Sequence, residues 1–268
     1  MRFAVGGQEV DFEYRGDGRV VVFVHGLTAD RQLLVDAFEP AFAGVDGVRR
    51  LYFDLPGHGV SPPHDGATSA DGLVDAVSQV VLSLGGERPA LVAHQYGAYL
   101  ALGVARDVTL GGLFLVNPIV QPDILLRTVP PHRVVVREEG LVHADDDERV
   151  TFEHELVQHT APMLERYRAL LDSAHRAANR ELIARVRRRY VMSATWAPAL
   201  AELDGPIHVV CGRDDHWAGF TDALAVVRAS PRCRYTIVPD AGPYLPLEHG
   251  AALRGLFGSW LEELSRPR

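Results

Sequence analysis

The sequence predicts an α/β fold: a mostly parallel, twisted sheet of about eight strands, helices on both faces, and a helical cap inserted late in the chain. Three observations predict it. The apolar runs Val20–Val24, Ala90–Ala93 and Leu113–Val116 are continuous rather than alternating, as in strands buried on both faces. Segments of helical periodicity separate them, which implies βαβ units. Between about 150 and 203 the strand signals lapse, and the spacing of Leu156, Met163, Leu164, Tyr167, Leu170 and Leu171 fits amphipathic helices. This divides the 268 residues into a core of 1–118 and 204–268 and a cap of 119–203.

In chain order, residues 2–5 and 8–14 read as a hairpin around Gly6-Gly7. The strand Val20–Val24 ends in His25-Gly26-Leu27-Thr28, and a short helix follows over about 31–42. Arg50–Asp54 is the next strand. It opens into the glycine turn Leu55-Pro56-Gly57-His58-Gly59-Val60-Ser61, and a helix over about 69–84 has Ser69 or Thr68 as its cap. The strand Ala90–Ala93 stops at a short turn, and an alanine-rich helix, Tyr99–Arg106, begins. After Leu113–Val116 comes a proline-bearing loop over 119–133. Beyond the helical stretch the alternation resumes with Ile207–Cys211, a helix at about 219–229, the strand Tyr235–Val238 and a terminal helix over about 250–264.

Composition narrows the function. A net charge of −8 and the lack of a long basic block argue against nucleic-acid binding. Arg185–Arg189 reads as a solvated helix face. No apolar run approaches the roughly 20 residues of a membrane span, and residues 1–6 hold no signal-peptide core, so a cytoplasmic protein with no membrane partner is expected. All 27 basic residues are arginine, which excludes a lysine catalyst or Schiff base. Cys211 and Cys233 lack zinc spacing. His154 and His159 are five apart and share a helix face poorly. No metal site and no cofactor are expected, and the expected partner is a small-molecule ligand or substrate.

The stretch with most chemical content is Ala93-His94-Gln95-Tyr96-Gly97. Small residues flanking a central polar side chain build a strand-to-helix elbow that thrusts that side chain outward. Together with His25-Gly26, Asp54-Leu55-Pro56-Gly57-His58-Gly59-Val60-Ser61, Gly212-Arg213-Asp214-Asp215 and Asp240–His249, in that order, the chain resembles the α/β-hydrolase family nearly end to end. The resemblance implies the family's fold. It also implies an oxyanion hole from the backbone amides of Leu27 and Tyr96, and a triad acid at Asp215.

The departures are specific. Gln95 stands at the family's serine and Pro243 at its histidine. Glutamine has no ionisable proton, and proline can neither take nor give one. The family's acyl-enzyme route needs both groups. Gln95 can recognise or polarise a carbonyl, or simply fill the old nucleophile site. Asp215 can act as a base in a dry pocket, pair with Arg213, or cap the helix that follows. His216 and His94 are the nearest candidates to replace the lost imidazole, with His94 read chiefly as packing beside the elbow. His25 lies in the turn after its strand and His58 in a surface turn. His25, His94, Trp196, Trp217 and Tyr244 are expected to line the pocket, and Asp215, His216 and Gln95 to carry any catalysis.

Three functions stay open: a non-hydrolytic enzyme (elimination, cyclisation, isomerisation or similar) acting on a small carbonyl compound; a pseudoenzyme that binds a ligand or partner; and a hydrolase with an atypical base. An open cavity with Asp215 or His216 facing it favours an enzyme. A collapsed cavity favours a binding protein.

Overall fold

The computed structural model describes residues 2–5 and 7–266. Met1, Gly6 of the expected hairpin turn and residues 267–268 of the expected core lie outside the described residues. The chain runs β1 (Arg2–Val5), β2 (Gln8–Arg15), β3 (Arg19–Val24), α1 (Arg31–Phe38), a 3-10 turn (Glu39–Phe42), β4 (Val48–Phe53), α2 (Ala70–Leu84), β5 (Ala90–His94), α3 (Tyr96–Val104) and β6 (Gly112–Val116). The cap elements follow: β7 (Val136–Arg137), α4 (Asp146–Glu155), β8 (Gln158–His159), α5 (Ala161–Tyr167), a π turn (Arg168–Asp172), α6 (Ser173–Ala177), α7 (Arg180–Arg188) and α8 (Ala197–Glu202). The core closes with β9 (Ile207–Gly212), α9 (Leu224–Ala229), β10 (Cys233–Val238), α10 (Leu245–Glu248) and α11 (Gly250–Ser265).

Eight of the described strands form one sheet in the order β1-β2-β4-β3-β5-β6-β9-β10. β1 and β2 enter antiparallel, and every pairing from β4 to β10 is parallel. The chain leaves β3 for β4 on one side and returns through α2 to β5 on the other. The carboxyl ends of β3 and β5 therefore flank a topological switch point, where open α/β sheets leave a crevice. The turn His25–Thr28 and the elbow at Gln95 both open there.

β5, β6 and β9 are buried at every position, as their unbroken apolar runs require. One face packs Leu73, Val77 and Leu100 of α2 and α3, and the other packs Phe38, Phe257 and Trp260 of α1 and α11. A third cluster joins cap to core, with Phe152, Leu164 and Tyr167 against Leu33, Tyr244 and Leu247. Among the described residues no helix is long and apolar enough to cross a membrane.

Two helix boundaries differ from expectation. α3 begins at Tyr96, three residues early, because the elbow turns directly into it. The helix expected from about 219 begins at Leu224, because 216–218 form a turn bound to the Asp215 carboxylate. The acidic run at 145–149 starts α4: Asp145 accepts the Glu148 amide, and Asp146, Asp147 and Glu148 fill the first turn, where the helix dipole favours negative charge.

Candidate active site

The elbow is built as the sequence implies. Gln95 has φ 47° and ψ −115°, a sparse region that a side-chain-bearing residue holds only when its neighbours fix it. They do: its amide donates to Val116, and its carbonyl accepts from Ala98 and Ile119. A Cβ on Gly97 would press into the carbonyl oxygens of Val24 and His25, so only glycine lets α3 start this close to β3. A Cβ on Gly59 would likewise meet the Asp54 carboxylate. That carboxylate accepts the amides of Arg31 and Val60 at 3.0 and 3.1 Å.

The Gln95 side chain is 3% exposed. Its Nε2 donates to the Pro243 carbonyl at 3.0 Å, and its Oε1 lies beside Gly26. The same carbonyl accepts from His94 Nε2 at 3.0 Å and from Asn117 Nδ2 at 2.9 Å. Asn117, buried with φ 45°, also donates to Gly242 and accepts the Gly212 amide. Three side chains thus clamp the loop at Gly242-Pro243. Asn117 went unnoticed in the sequence because only its place at the end of a strand was legible.

Gln95 leaves the two expected oxyanion amides alone. Among the described residues the Leu27 amide makes no hydrogen bond, and Tyr96, as the first residue of α3, has no carbonyl within its own helix to bond. Leu27, Gln95 and Tyr96 line one cavity of about 940 Å³, within the range of small-molecule sites. His216 and Trp217 line it from the loop after β9. Ile119, Ile124, Arg127 and Val129 line it from the loop after β6, and His154, Glu155, His175 and Tyr190 from the cap. Tyr190 stacks on Tyr96 at 4.2 Å between ring centres. Arg187 and Arg188 stand exposed at the rim.

Several expected residues sit elsewhere. Asp215 is fully buried and outside the cavity wall. One carboxylate oxygen accepts the amides of Trp217 and Ala218 at 2.9 and 3.0 Å, and the other is unpartnered. Burial pushes its pKa up to about 6 against the pull of those bonds. Arg213 pairs with Asp240 rather than Asp215. His25 is not a pocket residue: Nδ1 donates to the Gly26 carbonyl and Nε2 accepts the Leu55 amide, so the ring organises the turn. His94 is likewise enclosed, and burial holds both imidazoles near a pKa of about 4, neutral. Tyr244 is buried against His94 and Trp217, and Trp196 packs on the core beside α8; neither reaches the wall. His58 is buried, not exposed, with Nδ1 on the Pro56 carbonyl.

His216 reaches the cavity, but its Nε2 donates to the His154 carbonyl at 2.7 Å and burial lowers its pKa to about 4. Among the described residues no group of histidine, cysteine or carboxylate side chains could hold a metal ion.

Two further side chains of the wall have no motif to announce them. Glu155, at the end of α4, is 6% exposed, and its Oε2 has no hydrogen-bond partner. His175 Nε2, on α6, lies 3.7 Å from Glu155 Oε1 and is also without a hydrogen bond. The readable signal was a charge on the apolar side of an amphipathic helix, three residues after Phe152 and next to Leu156, where glutamate is rare unless satisfied.

The model of the alpha/beta hydrolase family matches residues 21–255. No curated protein matches the chain. Among solved structures, the chain is similar to an alpha/beta superfamily hydrolase from Oenococcus oeni PSU-1, at 23% identity and TM-score 0.88 over 99% of this chain and 100% of that one. It is similar to a malate-bound thermophilic esterase from Thermogutta terrifontis, at 22% identity and TM-score 0.76 over 99% of each chain. It is also similar to the enol-lactonase from Burkholderia xenovorans LB400, at 20% identity and TM-score 0.74 over 98% of this chain and 100% of that one. At these identities the likeness carries the fold alone.

Proposed function

The chain belongs to the alpha/beta hydrolase family, and from that premise we propose that it is a non-hydrolytic enzyme acting on a small carbonyl compound in the capped cavity. The substrate carbonyl rests on the amides of Leu27 and Tyr96. Negative charge that develops on its oxygen is stabilised there, and no bond forms to the protein. Elimination, cyclisation and isomerisation through an enolate all fit this description. The observation that carries the reading is that Gln95 is drawn onto the Pro243 carbonyl, so the cavity stays open beside both amides. Backbone donors of this kind are worth roughly 3–4 kcal/mol each at a developing oxyanion. They act without a nucleophile.

One observation favours the reading of a ligand-binding pseudoenzyme. Gln95, Asp215 and His216 each spend hydrogen bonds on backbone groups, so none is poised as a base. Hydrolysis by water activated at His216 is disfavoured by the same bond to His154.

4-Nitrophenol, whose anion mimics an enolate, tests the proposal. Its absorbance is expected to report binding of the phenolate with a lowered apparent pKa. Incubation with 4-nitrophenyl acetate is expected to give neither a burst nor an acetyl adduct by intact mass. A burst with an adduct means that an acyl-enzyme forms and the reading is wrong. Failure to bind the phenolate also removes it.

A further inference from the structure

We propose that Glu155 and His175 of the cap are the proton-transferring pair of this cavity, and that its substrate is an apolar, enolisable ketone whose double bond the pair moves. This rests on the reading above that the carbonyl lies on Leu27 and Tyr96.

Three observations converge. Glu155 and His175 line the same cavity as the two amides. Glu155 is buried and His175 half-buried, and each has one enclosed polar atom lacking a hydrogen bond, Oε2 on the glutamate and Nε2 on the histidine, although the two groups approach to 3.7 Å. Buried polar atoms are nearly always satisfied, and an exception asks for a role. A π turn, Arg168–Asp172, interrupts the helical run between Tyr167 and Ser173. Such turns concentrate at functional sites, and this one is the segment that delivers His175. The lining surface is mostly apolar, with Ile119, Val191 and Trp217 among its residues, and Arg187 and Arg188 stand exposed at the rim, which suits an apolar ketone.

Burial dominates the protonation of both groups. It pushes Glu155 up to about 8, assisted by the Asp172 carboxylate, and His175 down to about 4. Near neutral pH the pair therefore holds one exchangeable proton. The titratable groups facing it are Asp172, itself paired with Arg176 at 2.9 Å, and the phenols of Tyr167 and Tyr244.

For a β,γ-unsaturated ketone the steps balance without a co-reactant. The His175 Nε2 lone pair removes an α-proton, and the C–H electron pair passes to the carbonyl oxygen as a dienolate held by Leu27 and Tyr96. The carbonyl re-forms as the γ-carbon takes the proton of the Glu155 carboxyl. The pair is left as imidazolium and carboxylate, and the proton passes from Nε2 to the carboxylate, restoring the starting state. The product is the conjugated α,β-unsaturated ketone.

The probe is 3-cyclohexen-1-one, whose conversion to 2-cyclohexen-1-one is followed by absorbance, with 4-nitrophenolate binding measured in parallel. The native protein is expected to isomerise the probe. E155Q and H175N are each expected to lose at least about a hundredfold of that rate, the usual weight of a positioned acid or base, while binding phenolate within a few-fold of native. If phenolate binds but the probe is not isomerised, or is isomerised equally by both variants, the pair has no such role while the oxyanion reading stands. If phenolate does not bind, that reading falls first and the pair with it. Should either variant fail to fold, the native protein's pH profile decides. The rate is expected to fall as pH rises through about 8, where Glu155 loses its proton; a rate that keeps rising with pH past that point overturns the proposal.

Discussion

The elbow and the cap pair use their buried polar groups differently. At the elbow, Gln95, His94 and Asn117 converge on one carbonyl, that of Pro243, and the second ring nitrogen of His94 is left without a partner. Gln95 acts there as a structural pin. In the cap, Glu155 is buried and His175 half-buried, the two do not bond each other or any other group through Oε2 and Nε2, and both residues line the cavity. Satisfied buried networks rigidify, whereas unsatisfied ones carry an energetic cost that persists only where something else maintains it. The difference teaches where to look for chemistry in this molecule: at the cap rather than at the residue that the elbow displays.

Substitutions at the elbow are expected to act on stability most strongly. Gly97→Ala drives a Cβ into two backbone carbonyls, and a loss of more than about 4 kcal/mol is expected, seen as failure to accumulate folded protein. Asn117→Ala strands the Gly212 amide and one acceptor on the 242–243 loop. A loss of about 3 kcal/mol is expected, lowering Tm by roughly 6–12 °C in a chain of this size. If N117A melts with the native protein, the clamp is not what holds this loop.

Gln95→Ser sharpens the contrast chemically. A serine there has no imidazole to activate it, so hydrolysis of 4-nitrophenyl acetate is expected to stay at background. Gln95→Ser combined with Pro243→His supplies both groups while Asp215 keeps an unpartnered carboxylate oxygen, and a burst is expected from that double variant only. A burst from Q95S alone means that another base reaches the elbow.

Glu155→Gln tests the cap in the opposite direction. The folded-state pKa of Glu155, about 8, lies above its ordinary 4.5. The folded protein therefore binds this proton more tightly than the unfolded chain does. The stability it contributes is fully present below about pH 4.5 and is lost as pH rises through about 8. Thermal melts of native and E155Q are expected to diverge in the variant's favour across that window, by about 1.4 kcal/mol per pH unit at most. A difference independent of pH contradicts a buried, protonated Glu155. The smallest effects belong to Arg187→Ala and Arg188→Ala at the exposed rim. Each is expected to stay within about 0.5 kcal/mol of native by denaturant unfolding.

The fold was legible in the sequence because its signals are local and repeated. Continuous, β-branched runs as short as Val20–Val24 read as strands buried on both faces, and Val21–Val24 are buried. Gly97 and Gly59 stand where a turn excludes any side chain, and the order of the motifs supplied the topology. The cavity was legible where it depends on backbone near the elbow: Leu27, Tyr96 and Gln95 line it. Reasoning from side-chain type failed further out. Tyr244 and Trp196 are aromatic and lie in the right loops, yet both are spent on packing. His25 and His94 are close in sequence to the site but face inward, fixed by backbone partners that no linear pattern displays. Glu155 and His175 are twenty residues apart, on helices brought together by tertiary packing and a π turn, and no spacing rule links them.

The most direct test of the account is a crystal structure with 4-nitrophenolate bound, read at the elbow. The phenolate oxygen is expected within hydrogen-bond distance, about 2.7–3.1 Å, of the Leu27 and Tyr96 amides, with the Gln95 carboxamide still on the Pro243 carbonyl. A structure in which Gln95 swings over to fill those amides and the phenolate lies elsewhere would contradict it.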